Sequence, residues 1–168
     1  MIAYKFLARG AVGPFTGFSW RPEVWVEADH ADPCRRGIHA CHTRHLPIWL
    51  GPELWEIELG GEIIEGERKL VAQRGRLTHR IENWTPDLAM EFGRFCVRRT
   101  RRRVGYLPVI SGYVADVNRF VAQRRIPLAA LAAARAAERR DGPAAYDAER
   151  LAQATWLAER LGLEGPTS

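Results

Sequence analysis

The chain concentrates its reactive side chains in one short stretch, residues 34–45, which we call the histidine segment. Its sequence, Cys-Arg-Arg-Gly-Ile-His-Ala-Cys-His-Thr-Arg-His, holds two of the three cysteines and three of the five histidines. Imidazole and thiol groups transfer protons, attack electrophiles and bind metal ions. A functional site in this chain is therefore expected to include this segment.

Two functional hypotheses concern His39 and Cys41. If residues 37–41 form a strand, its period of two puts both side chains on one face, about 7 Å apart. His39 would then be a general acid/base or an orienting hydrogen-bond donor. Alternatively, Cys41 would be a nucleophile activated by a neighbouring imidazole or arginine. A structural role stays open too, in which a buried His39 bonds a backbone carbonyl beside a packed cysteine.

A third hypothesis is a zinc site in the same segment. Its ligands would be Cys34, His39, Cys41 and either His45 or His42. Zinc sites usually combine two separate short pairs such as Cys-x2-Cys. Here all the ligands lie in one segment without a second pair, so zinc is the less favoured alternative.

Carboxylates and further polar groups lie outside this segment. The alternation between Trp55 and Leu59 puts Glu56 and Glu58 on the face opposite the apolar residues. They could act as paired catalytic carboxylates or form a solvated strand face. His79 is expected on an inward, apolar face, where a core histidine is the alternative. The predicted substrate-binding residues are Trp20, Arg36, Arg76 and His79.

Arginine supplies almost all of the positive charge. The net charge is +5, and Lys5 and Lys69 are the only lysines. Arginine binds phosphate and carboxylate through two parallel hydrogen bonds, so an anion-binding surface is one interpretation, and a GC-rich genome is another. The strongest run lies at a helix end and predicts either a nucleic-acid interface or a solvated helix end. It consists of Arg98, Arg99, Arg101, Arg102 and Arg103.

The elements that carry these residues change character near residue 84. Before it, short strands and turns predict a mixed or antiparallel sheet domain, residues 1–84. Gly60-Gly61 predicts a tight hairpin turn between strands, and Gly75 is expected to form a bulge. The strands are expected at 4–8, 24–28, 37–41, 55–59, 62–65 and within 69–83, with a helical turn at 45–50.

After Trp84 the pattern becomes helical. Thr85-Pro86-Asp87 is a helix start, with a threonine cap, proline in the first turn and an early acid. Three or four helices are expected within residues 85–168, packed on the sheet domain or on a partner subunit, the later ones beginning after Ser111, at Pro127 and near Ala145. The last helix shows two apolar sides, one including Leu151 and one including Trp156, which predicts a homodimer contact. The fold class is therefore α+β.

Composition and absent motifs remove several classes of function. The longest apolar run is far shorter than the roughly 20 residues of a membrane helix. The first ten residues do not resemble a signal peptide, and three cysteines cannot all pair, so a cytoplasmic protein is expected. The chain lacks a Gly-rich phosphate loop, a Gly-x-Ser-x-Gly elbow and a His-Glu-x-x-His pair. These absences argue against P-loop hydrolases, common serine hydrolases and zincin proteases.

Several segments of residues 3–84 resemble a family of bacterial and phage domains without an established activity. The shared features are Pro14 to Trp20, Cys34-x2-Gly-x-His-x-Cys41, the strand after Leu54, and Lys69-Leu-Val71. The order Gly37-Ile-His39, loop and helix is also similar to the second motif of ADP-ribosyltransferases. That resemblance implies that His39 lines a nicotinamide pocket, that a downstream glutamate activates the acceptor, and that NAD is the cofactor.

Together these features predict a small cytoplasmic enzyme. Its pocket would hold an anionic or nucleotide-like small molecule and would be lined by His39, Cys41, Trp20 and Glu56 or Glu58. The alternatives are a non-catalytic module that binds nucleic acid or an acidic partner through the arginine run, and a zinc-binding structural protein.

Overall fold

A computed structural model describes residues 1–33, 36–104 and 108–165, of which 104 and 108–111 are described by backbone alone. The chain has an α+β fold with its sheet at the N-terminal end and its long helices after it. It divides into two compact units, Met1–Trp84 and Thr85–Ser168, which we call the sheet unit and the helical unit.

The sheet unit is an antiparallel sheet, with five strands in the part of the chain that the structure describes. The strand order is β1-β4-β5-β2, and β3 also pairs with β5. A 3-10 turn, Thr43–His45, and the short helix α1, Leu46–Trp49, follow β3. The strands are β1 Ile2–Leu7, β2 Val26–Glu27, β3 Ile38–Ala40, β4 Glu53–Glu65 and β5 Leu70–Arg80.

The residue after β3 closes the sheet. The Cys41 N–H donates to the Tyr4 carbonyl at 2.8 Å, and the Tyr4 N–H donates to the Cys41 carbonyl at 2.9 Å. Because β3 pairs with β5 and its continuation bonds to β1, the sheet curls back on its first strand. This closure holds residues 38–41 between β5 and β1.

The predicted hairpin turn at Gly60-Gly61 is wrong. Strand β4 runs through both glycines, and its pairing with β5 shifts register between Gly60 and Ile63. Gly61 has a φ of +70°, a conformation that serves a bulge as well as a turn. The turn to β5 comes later, where the Gly66 N–H donates to the Lys69 carbonyl at 2.8 Å.

Gly75 does not form the expected bulge. It pairs regularly with Leu59, and a Cβ at this position would lie 2.6 Å from Ile38 Cγ2, so close packing requires glycine. The bulge lies at Thr78, because Glu56 pairs with His79 while the next residue of β4 pairs with Leu77. The extra residue turns the His79 side chain outward, where it is 57% exposed, so the expected inward position is wrong.

The inner face of the sheet forms the main core of this unit. Strand alternation places one side chain in two on this face, and Trp20 packs against it from the loop after β1. The core consists of Ala3, Leu7, Ala11, Trp20, Ile38, Ala40, Trp55, Ile57, Leu59, Leu70, Ala72 and Leu77.

The helical unit has four helices in its described residues, α2 Pro86–Val104, α3 Pro108–Ala122, α4 Ile126–Asp141 and α5 Pro143–Leu161. Thr85 caps α2 as predicted, since its Oγ1 accepts the Leu88 N–H at 3.1 Å. Helix α3 begins before Ser111, earlier than expected. Helix α4 packs against the other three and buries a face of alanines, which allow the helices to approach closely.

The buried side chains of the last helix, α5, differ from the prediction. Leu151 is 47% exposed and does not belong to the buried stripe of α5. The Trp156 ring packs against Phe92 and Phe95 of α2, with centroids 5.5 and 5.3 Å apart. The second apolar side of α5 is thus covered within the helical unit, and a homodimer contact stays a prediction.

Within the described residues, no helix combines the length and the apolar character needed to cross a membrane.

Candidate functional site

His39 lies at the centre of β3 and pairs with Val71 of β5. Ile38 and Ala40 on either side are buried in the core, so alternation directs the His39 side chain to the opposite face. Lys69 precedes the first residue of β5 and shares that face, where diagonal neighbours are roughly 7 Å apart. Strand geometry therefore brings an imidazole and an ammonium group together outside the core.

Cys41 follows His39 on the same face but is buried, with 2% of its surface exposed. Burial raises the pKa of its thiol to about 12, although the charge of Lys5 opposes this. The reactive thiolate is thus scarce at neutral pH. The structure therefore gives the nucleophile hypothesis no support and favours a packing role.

We expect Cys41 and Cys96 to resist alkylation in the folded protein. Cys96 is fully buried, and burial raises its pKa as well. Iodoacetamide at about pH 8 should label both only in denaturant, because the buried thiol is neither accessible nor ionised. Peptide mass spectrometry measures the labelling of each cysteine. Rapid labelling of native Cys41 would contradict the prediction and restore the nucleophile hypothesis.

Lys5 belongs to this site and was missed by the sequence analysis. Its Nζ donates a hydrogen bond to the His39 carbonyl oxygen and lies 5.2 Å from the centroid of the Trp20 ring. Burial lowers its pKa to about 8, against a smaller opposing effect of Cys41. A signal was available, because Lys5 and Lys69 are the two lysines among 25 basic residues. Both ammonium groups act on His39.

Protonation of the His39 side chain is disfavoured, and one of its nitrogen atoms is not hydrogen-bonded to any residue that the structure describes. Burial lowers the pKa of His39, and the charges of Lys69 and Lys5 lower it further. Its Nε2 atom is buried and meets no hydrogen-bond partner among the described residues. Such atoms are rare in native proteins, where buried polar groups are almost always bonded.

The rest of the histidine segment adds more positive charge. Glu65 accepts a hydrogen bond from Arg44 at 3.1 Å, and His42 Nε2 lies 3.1 Å from the same oxygen. Burial lowers the pKa of His45, and Arg44, His42 and Arg68 lower it further against an opposing effect of Glu65. His45 Nδ1 and Arg44 Nε are buried without a partner in the described part of the chain.

The predicted carboxylates form a second, separate group on the outer sheet face. Glu56 accepts a hydrogen bond from Thr78 at 2.7 Å and lies 3.4 Å from His79 Nδ1. Glu58 accepts a hydrogen bond from Arg76 at 2.6 Å. These ion pairs give both carboxylates a structural partner.

Trp25 connects this second group to the loop before β2. The guanidinium groups of Arg74 and Arg76 lie 4.9 and 5.2 Å from its ring centroid, and Arg76 also lies 3.7 Å from Glu23. Arg76 lies on β5, five residues after Val71, which is the β5 partner of His39. Five residues span roughly 17 Å along a strand. The predicted catalytic and binding residues are therefore split between two places.

The remaining predicted residues of the sheet unit are placed as follows. Trp20 is 8% exposed and covers Lys5. Arg36 is exposed and pairs with Asp29 at 3.3 Å. Cys34 lies outside the described residues. Among the residues that are described, no three His, Cys, Asp or Glu side chains lie close enough to hold a metal ion.

The arginine run on α2 divides into structural and free groups. Arg99 donates three hydrogen bonds, at 2.8, 2.9 and 3.0 Å, to the buried carboxylate of Glu149, and Arg103 reaches it at 3.4 Å. Arg98 and Arg102 are exposed and have no ion-pair partner within the described ranges. Arg99, Arg102 and Arg103 line an open depression with a cavity volume of about 310 Å³.

No known protein family matches the chain, and comparisons with curated proteins and with solved structures found no match either. The resemblances based on the histidine segment are neither supported nor opposed by these comparisons. The chemistry of this chain's own residues therefore carries the functional argument.

Proposed function

We propose that the sheet unit binds an anionic, nucleotide-like small molecule at the histidine segment, with His39 as a contacting group. The observation that carries this proposal is the position of the unbonded polar atoms. Of four such buried side-chain atoms among the described residues, three belong to this segment: His39 Nε2, Arg44 Nε and His45 Nδ1. Buried polar groups without partners cost free energy, so their concentration indicates groups that a ligand or water satisfies.

The positive charge around these atoms favours an anionic ligand. Lys5 and Lys69 lower the pKa of His39, and three basic neighbours lower that of His45. Among the described residues, Glu65 is the one acid whose charge acts on these two imidazoles. A phosphate or carboxylate group would relieve this repulsion and accept a hydrogen bond from an imidazole N–H.

NAD is the first ligand to test, because the order of Gly37, His39 and the following helix is similar to that of ADP-ribosyltransferases. We expect NAD to raise the melting temperature of the wild-type protein by mass action. The shift should be lost in His39→Gln, which removes the imidazole. It should persist in His79→Gln, because His79 is an exposed histidine of the second group. Differential scanning fluorimetry measures all three proteins, with inorganic pyrophosphate as a second probe.

Binding should also depend on pH in one direction. The free protein holds the pKa of His39 below its usual value, and a bound anion would raise it. Binding therefore takes up protons, and the affinity for NAD, whose diphosphate does not titrate in this range, should increase as the pH falls from about 8 to about 6. Calorimetry in buffers of different ionisation enthalpy measures the proton uptake. A pyrophosphate shift that survives in His39→Gln, or no shift with either probe, would refute the proposal.

A further inference from the structure

Helix α2 presents a continuous arginine face that the proposed ligand site does not use. After Glu91, the exposed side chains of α2 up to Arg103 are Arg94, Arg98, Arg101 and Arg102. A rotation of 100° per residue puts all four within about one third of the helix circumference. Arg94 was not part of the predicted run, although its spacing of four residues from Arg98 was visible in the sequence.

These four arginines make few contacts with other side chains. Arg101 donates to Asn118 Oδ1 at 3.3 Å. Arg94, Arg98 and Arg102 have neither an ion pair nor a hydrogen bond with any side chain that the structure describes. Glu149 of α5 and Asp141 at the end of α4 neutralise other arginines, since Glu149 binds Arg99 and Arg103 and Asp141 binds Arg103.

Compensation of the helix dipole does not explain the whole face. The dipole acts on charges within the last turn of a helix. Helix α2 ends at Val104, so Arg94 and Arg98 lie ten and six residues before its end. The helix dipole therefore does not account for these two charges.

We propose that the exposed face of α2 binds the phosphate backbone of a nucleic acid. Arg94, Arg98 and Arg102 recur every four residues, about 6 Å along the helix axis, and form a row of cations that suits a polymer with regularly spaced anions. Guanidinium groups bind phosphate oxygens in pairs of hydrogen bonds. The open depression at Arg102 adds a shallow surface next to this row.

The composition of the face favours nucleic acid over an acidic protein. Protein interfaces have an apolar or aromatic centre surrounded by polar groups. Between Arg94 and Arg102 no apolar side chain is exposed; the apolar residues of this stretch, among them Phe95 and Val97, are buried or half-buried. Contacts between a protein and the phosphates of a nucleic acid need no apolar centre, and arginine and lysine side chains supply most of them.

The test is a fluorescence anisotropy titration of the full chain with a labelled duplex DNA of about 20 base pairs. The same sequence as single-stranded DNA and as duplex RNA forms two further arms. We expect binding that weakens steeply with salt, because phosphate neutralisation releases counterions. The triple variant Arg94→Gln, Arg98→Gln, Arg102→Gln should lower the slope of log K against log salt by about 2 to 3 and the affinity more than tenfold.

A matched variant separates the site from the total charge. Arg9→Gln, Arg21→Gln, Arg139→Gln removes the same number of charges from exposed positions elsewhere. It should bind nearly as well as the wild-type protein. All six substituted arginines are exposed, so both variants should fold, and circular dichroism checks this.

Three outcomes would overturn the proposal. The first is no binding to any of the three nucleic acids at low salt. The second is an equal loss of affinity in the two triple variants, which would show an effect of net charge alone. The third is preferential binding of a poly-glutamate peptide, which would assign this face to an acidic protein. None of these outcomes bears on the His39 site, which is tested by a different ligand.

Discussion

Replacing Arg99 by alanine should destabilise the helical unit by about 3 kcal/mol, because it leaves a buried carboxylate with too few partners. Glu149 is 1% exposed, and Arg99 supplies the two shortest hydrogen bonds to it. The contact also raises the pKa of Arg99, mainly through the hydrogen bond to Glu149. Arg103 remains at 3.4 Å and compensates only in part. Urea denaturation followed by circular dichroism measures the loss.

Arg98→Ala is the control, since the neighbouring arginine is exposed and should change stability by less than about 0.5 kcal/mol. If both variants lose the same stability, Glu149 does not depend on Arg99.

The contacts of Glu149 also decide which arginines can be used to test nucleic-acid binding. The sequence left the five arginines of this run as either a nucleic-acid interface or a solvated helix end. Arg99 and Arg103 instead bind the buried Glu149, so variants of these two cannot test nucleic-acid binding.

Replacing Glu53 by alanine should have the second large effect, about 3 kcal/mol of lost stability in the sheet unit. The Glu53 carboxylate is 7% exposed and accepts hydrogen bonds from the backbone N–H groups of Gly10 and Ala11 and from Trp55 Nε1. The substitution leaves these donors without a charged acceptor. It also releases the start of the loop that carries Trp20 over Lys5. Chemical denaturation followed by tryptophan fluorescence measures the change.

The pKa of Glu53 also predicts how the stability of the sheet unit depends on pH. Burial by itself raises its pKa, but the hydrogen bonds from Gly10, Trp55 and Ala11 and the charge of Arg80 outweigh burial and lower it. A carboxyl whose pKa is lower in the folded state stabilises fully above its unfolded pKa of about 4.3 and loses that contribution as the pH falls through the folded value.

Wild-type protein should therefore lose more stability than Glu53→Gln between about pH 5 and about pH 3. Urea titrations across this range measure the difference, and Glu62→Gln, at an exposed position, serves as the control. Equal acid sensitivity of Glu53→Gln and the wild-type protein would show that Glu53 is not the group responsible.

Local signals predicted most of the elements. Thr85 and Pro86 marked the start of α2, and apolar alternation located the strand around Ile57. These signals depend on neighbouring residues, so they can be recognised without the fold. They failed where one residue type serves two geometries, since Gly60-Gly61 is compatible with a turn and with a bulge. Side chains of a strand alternate between its two faces, so the one extra residue of the Thr78 bulge places the His79 side chain on the face opposite to the predicted one.

The sequence by itself determined the α+β class, the concentration of imidazole and thiol groups in the histidine segment, and the excess of arginine. Only the tertiary structure decided which of these groups are free to act. It buried Cys41, brought Lys5 from the first strand to His39, and paired Arg99 with Glu149, which lies fifty residues away. Burial and pairing depend on contacts between distant parts of the chain, and local sequence patterns do not encode those contacts.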